Sequence, residues 1–209
     1  MIKPERLNPS CDDAALELLR ASLSRFGVLS EQAWAAARVQ FYEYRLDTGE
    51  FILQAGELPQ FGGFVLAGVL REFFITFEGQ EFNKSFCLEG EFTGSLFDLI
   101  AAEPSTAFIE ALAPTTLLVC RFTDLQALYA QYPDWERVGR LLAENLFMQK
   151  ARRERELMTL SAEERYLLLM QTHPELEERV SQYHLASYLG ISPVSLSRIR
   201  RHLGRPKLR

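Results

Sequence analysis

The feature that most limits the fold of this chain is a change in periodicity between Val39 and Phe122. Short segments rich in Phe, Tyr, Val, Ile and Leu are separated there by Gly49, Gly56, Gly62-Gly63, Gly68, Gly79, Gly90 and Gly94. Aromatic and β-branched segments divided by turn residues are typical of strands joined by tight turns. We therefore predict a barrel or sandwich of about eight strands. The twelve phenylalanines from Phe51 to Phe122 are predicted to fill its core.

The residues before the strands are predicted to form two helices. In the first, leucines recur at helical spacing after a cap at Ser10 or Asp12. Gly27 ends this pattern, and Ser30 is a suitable N-cap for a second helix that runs through Arg38.

Beyond the strands the periodicity is helical again. Thr123 can cap a short helix over residues 124–130, and Pro133 lies where it can open a long helix that reaches about Met158. One stripe of the long helix is apolar: Trp135, Val138, Leu142 and Leu146. A long helix with one apolar stripe is typical of a dimer seam. The alternative is that the stripe packs against the barrel of its own chain.

The segment Ser181–Leu203 has the pattern of two short helices that cross around a tight turn. Ala186 is the small residue needed where the helices pack, and Gly190 tolerates positive φ in the turn. Ser192 is a good N-cap and Pro193 is favoured at the first helical position, so the second helix is predicted to begin there. The inner faces carry Leu185, Leu189, Ile191, Leu196 and Ile199. This pattern predicts a helix-turn-helix whose second helix enters the DNA major groove; the alternative is an ordinary helical hairpin.

The charge is distributed unevenly along the chain. From Arg179 onward there are seven basic residues and no acidic one, whereas the remainder has sixteen basic and 28 acidic residues. A basic end on an acidic body suggests that the end binds a polyanion such as DNA. The alternative is a solvated tail that keeps the protein soluble.

Several of these segments resemble one family. Residues 45–57 (RLDTGEFILQAGE), 64–71 (FVLAGVLR) and 90–95 (GEFTGS) resemble the β-roll strands and the approach to the phosphate-binding cassette of a regulator superfamily, and residues 183–203 resemble its DNA-reading end. This is the cyclic-AMP-receptor-protein and fumarate-nitrate-regulator (Crp/Fnr) superfamily of bacterial transcription factors. The chain is similar to it over nearly its whole length.

The resemblance implies an α+β fold with three parts. An N-terminal cyclic-nucleotide-binding-like β-roll (jelly roll) sensor domain is expected over residues 1–132, and a long dimerisation helix over residues 133–159. A C-terminal helix-turn-helix DNA-binding domain is expected over residues 160–209. Because only six residues follow Leu203, we expect this domain to have a reduced wing.

The cassette departs from the pattern of cyclic-nucleotide-binding members. Those members have a Glu for the ribose hydroxyl, and here that position is Ser95. Their Arg–Ser pair, which holds the cyclic phosphate, aligns with Ser105 and Thr106, and no Arg or Lys lies between Lys84 and Arg121. A phosphate buried without a cation pays a large desolvation cost. We therefore expect no binding of cyclic AMP or cyclic GMP, so the β-roll is either the sensor of an unidentified small-molecule effector or a scaffold.

Other cofactors and an enzymatic function are not expected. A cubane iron–sulfur cluster needs four thiolates, and the chain has three cysteines, interpreted as free thiols: Cys11, Cys87 and Cys120. Haem and metal-dependent cupin chemistry need histidines in the barrel, whereas the first His is His173. We expect no metal site, no cofactor and no catalytic residue.

The resemblance also implies roles in DNA binding for individual residues. Arg198 is suited to bidentate contact with guanine, and Ser197 occupies a base-reading position. Val194 stands where many members have Glu, and it can contact a thymine methyl group. Three serines are suited to phosphate oxygens: Ser181, Ser192 and Ser195. Five basic residues are expected to add phosphate attraction: Arg200, Arg201, Arg205, Lys207 and Arg209.

The sequence thus predicts a cytoplasmic transcription regulator that binds double-stranded DNA as a homodimer, with RNA polymerase as a further expected partner. The N-terminus has no apolar signal core. No apolar run approaches the roughly 20 residues that cross a bilayer, so no membrane association is expected. The alternative function is a cyclic-nucleotide-binding-like signalling module that acts through protein contacts.

Overall fold

The computed structural model describes residues 2–204, which form an α+β structure. After a 3-10 turn at Pro4–Arg6, the helices are α1 (Asp13–Leu23), α2 (Glu31–Arg38), α3 (Leu96–Ala101), α4 (Phe122–Tyr129), α5 (Pro133–Thr159), α6 (Ala162–Thr172), α7 (Leu176–Arg179), α8 (Gln182–Leu189) and α9 (Pro193–His202). The strands are β1 (Tyr42–Leu46), β2 (Phe51–Leu53), β3 (Phe61–Ala67), β4 (Leu70–Ile75), β5 (Glu81–Cys87), β6 (Phe92–Thr93), β7 (Ala107–Ala111) and β8 (Thr115–Arg121). Within the described part, none of the helices is long and apolar enough to cross a membrane.

The strands form two four-stranded sheets, with the orders β1-β8-β3-β6 and β2-β7-β4-β5. The pairings of β8 with β1 and β3, of β3 with β6 and of β2 with β7 are antiparallel. Apart from the β4–β5 hairpin, neighbouring strands are not consecutive in sequence, as the crossovers of a jelly roll require. The predicted β-roll of about eight strands is confirmed.

The chain divides into two compact units. The first is Met1–Glu72 with Phe86–Leu146, and the second is Phe73–Ser85 with Phe147–Arg209. The boundary therefore falls inside α5, and most of the β4–β5 hairpin belongs to the second unit. The sequence placed residues 73–85 in the sensor domain; the three functional boundaries given above stay a prediction.

Two apolar clusters fill the first unit. One lies between the N-terminal helices, α4, the start of α5 and the sheet, and includes Trp34, Phe64, Leu118, Trp135 and Val138. The other lies within the β-roll and includes Tyr44, Val65, Leu70, Ile109 and Leu117. Because strand side chains alternate between faces, the same strands contribute to both clusters.

The twelve phenylalanines from Phe51 to Phe122 divide into three groups by their exposure. Phe64 and Phe73 are buried, and seven others in the strand region are half-buried. Phe77, Phe82 and Phe97 are exposed, so the prediction that all twelve fill the core is wrong for these three. Phe77 lies in the turn between β4 and β5, where no second layer covers it.

The start of α5 packs on its own unit. Trp135 and Val138 are 5% and 1% exposed, and the indole Nε1 of Trp135 donates to the carbonyl of Leu125 at 3.2 Å. These two side chains are unavailable to a partner subunit, so their assignment to a dimer seam is wrong. For them the alternative, packing against their own chain, is correct. Leu142 and Leu146, farther along α5, are half-buried.

The start of α4 also differs from the prediction. The helix begins at Phe122, directly after β8, with Arg121 as its N-cap, so Thr123 is not a cap. The amide of Phe122 donates to the carbonyl of Gln60 at 2.9 Å. The sheet therefore fixes where this helix begins, and no side-chain cap is used. By contrast, α2 and α5 begin at the predicted residues.

Candidate nucleic-acid interface

Helices α8 and α9 form the predicted pair around Gly190. Gly190 has a φ of 69°, in the left-handed region that favours glycine. Its amide donates to Ser187 O, and the amide of Ile191 donates to Ala186 O, both at 3.0 Å. These bonds close the end of α8 and turn the chain into α9.

The inner faces of the two helices are buried as predicted. Leu185, Ala186, Leu189 and Leu196 are at most 1% exposed. Ile191 and Ile199 are half-buried. The absence of a side chain beyond Cβ at Ala186 suits the close approach of α9 to α8, which the sequence also predicted.

Two serines cap the N-termini of α8 and α9. Ser181 Oγ accepts from the amide of His184 at 3.3 Å, and Ser192 Oγ accepts from the amide of Ser195 at 3.2 Å. Pro193 occupies the first turn of α9, as predicted. Ser181 and Ser192 are exposed. Each hydroxyl therefore lies at the positive end of a helix dipole, where an anion is favoured.

The outer face of α9 carries the residues predicted to contact bases and also Arg201, which is predicted to attract phosphate. Val194 is 61% exposed, Arg198 and Arg201 are exposed, and Ser197 is half-buried. Their spacing of three and four residues places them along one side of the helix. Neither α8 nor α9 contains an acidic residue. Arg205, Lys207 and Arg209 lie outside the described residues.

Arg200 is not on this surface. It is 4% exposed, and its Nη1 lies 3.2 Å from Oε1 of Glu177. The same carboxylate oxygen accepts from the hydroxyl of the buried Tyr166. The prediction that Arg200 attracts phosphate is therefore wrong, because it lies one turn after Leu196 on the buried face of α9. The helical spacing from Leu196 was a signal in the sequence, whereas nothing local pointed to Tyr166 or Glu177.

Two further arginines, which sequence reasoning missed, hold the end of α8. Arg165 Nε donates to Leu189 O at 3.1 Å. The Arg153 guanidinium lies 3.9 Å from the ring centroid of Tyr188 and donates to the Tyr188 carbonyl. Cations at a helix C-terminus oppose the negative end of its dipole. Burial lowers the pKa of Arg153, whose side chain is half-buried.

The cassette residues of the first unit are engaged by their own chain. Ser95 is 4% exposed and its hydroxyl donates to Oδ2 of Asp98 at 2.6 Å. Ser105 is 2% exposed and its Oγ accepts from the amide of Ala107 at 3.0 Å, while Thr106 is exposed. Asp98, which the sequence analysis missed, is itself buried. The residue at the family's Glu position therefore faces a buried carboxylate.

The structure also bears on metal and redox chemistry. Across residues 2–204, no group of three or more His, Cys, Asp or Glu side chains is arranged to hold a metal ion. The three cysteines are free. Burial raises the pKa of the Cys87 and Cys120 thiols, which disfavours their reactive thiolate forms.

Three solved regulators have a similar fold. FixK2 from Bradyrhizobium japonicum matches with a TM-score of 0.67 and 19% identity, over 78% of this chain and 83% of that chain. The c-di-GMP responsive global regulator CLP from Xanthomonas campestris matches with a TM-score of 0.64 and 18% identity, over 92% of both chains. The catabolite activator protein of Thermus thermophilus matches with a TM-score of 0.55 and 26% identity, over 88% of this chain and 86% of that chain.

These neighbours share the fold of this chain. It has the architecture of a cyclic-nucleotide-binding-like β-roll followed by a long helix and a C-terminal helical domain, which is that of the Crp/Fnr superfamily of transcription regulators. No protein-family model matches the chain, and no curated protein sequence matches it. The assignment therefore rests on the fold.

Proposed function

We propose that this chain is a transcription regulator that binds operator DNA as a dimer and does not respond to cyclic AMP or cyclic GMP. The observation that carries the proposal is the exposed face of α9, where Val194, Arg198 and Arg201 lie on one side of a helix without acidic residues. A helix-turn-helix presents such a face to the major groove. The cytoplasm is the compartment, and RNA polymerase a partner, that this function implies.

The proposed division of labour separates base reading from phosphate binding. Arg198 donates two hydrogen bonds to guanine O6 and N7, while Val194 contacts a thymine methyl group and Ser197 a neighbouring base. The remaining residues bind phosphate oxygens and set the register: Ser181, Ser192, Ser195, Arg201 and Arg205. The capping geometry supports the assignment of Ser181, because its hydroxyl accepts from a helix amide and keeps its own proton to donate. The hydroxyls of Ser192 and Ser195 lie 3.0 Å apart, so one donates to the other and the second keeps a proton for a phosphate oxygen.

The cassette supports the absence of a cyclic-nucleotide response. The hydroxyl of Ser95 is already bonded to the buried carboxylate of Asp98. A cyclic phosphate near this pair would meet an anion and no compensating cation.

A selection from a random pool of duplexes tests the proposal. The wild-type protein is expected to enrich a two-fold symmetric motif with half-sites about 34 Å apart. A variant with Val194→Asp and Arg198→Ala, which places an acid on the reading face, is expected to enrich nothing. Ser24→Ala, at an exposed serine after α1, is the matched control and should select the wild-type motif. Enrichment of no motif by the wild-type protein would contradict sequence-specific DNA binding and favour a module that acts through protein contacts.

A further inference from the structure

The β-roll contains a small cavity that is separate from the cassette positions of the cyclic phosphate. Its volume is about 140 Å³, and most of its wall is apolar, formed by Ile2, Ile52, Leu53, Leu58, Phe61 and Ile109. Gly94 and Ser95 also line it, whereas Ser105 and Thr106 are not among its lining residues.

The size of the cavity limits what it can hold. Pockets for drug-sized ligands measure roughly 300–1,000 Å³. An apolar protein cavity of about 150 Å³ stays dry and accepts benzene. A cavity of about 140 Å³ therefore suits one ring or a short branched chain and is too small for a nucleotide.

The N-terminal segment, which supplies Ile2 to the cavity wall, is held by burial and by hydrogen bonds. Ile2 is 4% exposed. The backbone amide of Lys3 donates to the hydroxyl of Tyr44 at 3.2 Å. The guanidinium of Arg6 donates to both carboxylate oxygens of Glu50, at 2.7 and 3.0 Å. The segment that supplies Ile2 to the cavity wall is thus held in place.

One cation lies at the rim. Arg121 lines the cavity, is exposed, and has its guanidinium carbon 5.3 Å from the ring centroid of Phe61. It forms no ion pair with any of the residues that the structure describes. The carboxylate on the lining, that of Glu57, accepts from the amide of Gln54 at 2.9 Å. The guanidinium is therefore placed to bind an anionic group of a molecule that enters the cavity.

We propose that this cavity binds a small carboxylic acid, with its compact apolar body inside and its carboxylate on the guanidinium of Arg121. Burial of the apolar body provides the affinity. The planar guanidinium provides the specificity, because its paired N–H groups match the two oxygens of a carboxylate. The proposal adds a ligand to the regulator proposed above, but it does not depend on DNA binding.

The test uses benzoate as the probe and benzyl alcohol as its uncharged counterpart, titrated into the full-length protein without DNA by calorimetry. Wild type is expected to bind benzoate saturably and more tightly than benzyl alcohol. Arg121→Gln should weaken benzoate about tenfold or more and leave benzyl alcohol unchanged. Ile109→Phe, which fills the cavity, should remove binding of both. Arg140→Gln, at an exposed arginine of α5 that does not line the cavity, should bind like wild type.

Two outcomes would overturn the proposal. One is the absence of saturable benzoate binding by wild type up to on the order of 10 mM. The other is equal affinity for both probes with no effect of Arg121→Gln. If Ile109→Phe does not fold, Arg121→Gln and the two probes decide the question alone. Since no duplex is present, failure here leaves the DNA-binding proposal unaffected, and failure of DNA selection leaves this one unaffected.

Discussion

Arg198 and Arg201 differ in the role that the geometry gives them, although both are exposed on α9. Arg198 lies beyond the first turn, where we propose that it donates both hydrogen bonds to a guanine edge. We predict that Arg198→Ala costs about 1–3 kcal/mol at one base pair of each half-site and flattens the preference there. Arg201→Ala should weaken all sequences alike and lower the salt slope by about one. Both variants are titrated against specific and scrambled duplexes at several salt concentrations. If Arg198→Ala lowers the affinity for both duplexes equally, Arg198 does not read bases.

Arg200, between these two residues in sequence, is predicted to act in stability. Its ion pair with Glu177 is buried, with 4% and 14% of the two side chains exposed. Arg200→Met leaves the carboxylate without this cation and should lower the free energy of unfolding by about 3–5 kcal/mol. Adding Glu177→Gln, which keeps an oxygen for the Tyr166 hydroxyl, should recover much of that loss. Urea denaturation measures both.

The control for this pair is Arg201→Ala, which should change the unfolding free energy by less than about 0.5 kcal/mol because the side chain is exposed. Equal effects at positions 200 and 201 would show that the buried ion pair contributes nothing particular. The positive charge of Arg200 is evident from the sequence, but the prediction placed this side chain on the exposed face of α9. Composition gives only the number of charged residues. The helical spacing from Leu196 indicates which of them lie on the buried face of α9.

The elements of this fold show a similar division between local and distant signals. Local patterns correctly predicted α2, α5 and α9, because Ser30, Pro133 and Ser192 mark their starts. They failed for α4, whose start is set by its connection to β8. They also missed the packing of β5 on α8, because its hydrogen bonds join residues more than one hundred positions apart.

That packing centres on Ser187. Its Oγ accepts from the amide of Asn83 at 2.9 Å and donates to the carbonyl of Glu81 at 3.1 Å. Asn83 is 5% exposed, and its Nδ2 also donates to His184 O at 3.1 Å. We predict that Ser187→Ala, which removes both hydroxyl bonds, destabilises this region by about 1–3 kcal/mol. The amide of Asn83 should then exchange faster in hydrogen–deuterium exchange.

Ser24→Ala is the matched control, because Ser24 is exposed and its hydroxyl donates only to Ala21 O, at 2.6 Å, within its own helix end. It should leave the exchange of the Asn83 amide unchanged. Unaltered exchange in Ser187→Ala as well would mean that the hairpin is held by other contacts.

For the chain as a regulator, the cassette leads to a prediction about its effector. With Ser95 bonded to Asp98 and no cation at Ser105 or Thr106, neither cyclic AMP nor cyclic GMP should bind appreciably. Calorimetry should give no dissociation constant in the micromolar range. The affinity for the selected operator should be the same with and without either nucleotide. A micromolar constant, or a large shift in operator affinity, would contradict this assignment.

The predicted dimer is the property most affected by the incorrect assignment of Trp135 and Val138. Because Trp135 and Val138 pack inside their own unit, the proposed dimer contact on α5 is expected farther along that helix. Leu142 and Leu146 are half-buried, while Phe147 and Met148 are 68% and 56% exposed. A helix-turn-helix that reads two half-sites about 34 Å apart needs a two-fold dimer. These side chains, together with the exposed Leu157 and Met158 near its end, are the apolar surface of α5 that remains for it.

We therefore predict a dimer of the 24.0 kDa chain at micromolar concentration in light scattering. Phe147→Glu should shift it toward monomer, because pairing the helices would bury two unpaired carboxylates. The same variant should bind a full operator more weakly while keeping its affinity for a single half-site. Val28→Glu places the same charge on an apolar residue that is 86% exposed outside α5, and it should remain a dimer. A wild-type monomer, both free and on DNA, would exclude this assembly, and dissociation by both variants alike would place the contact elsewhere than on α5.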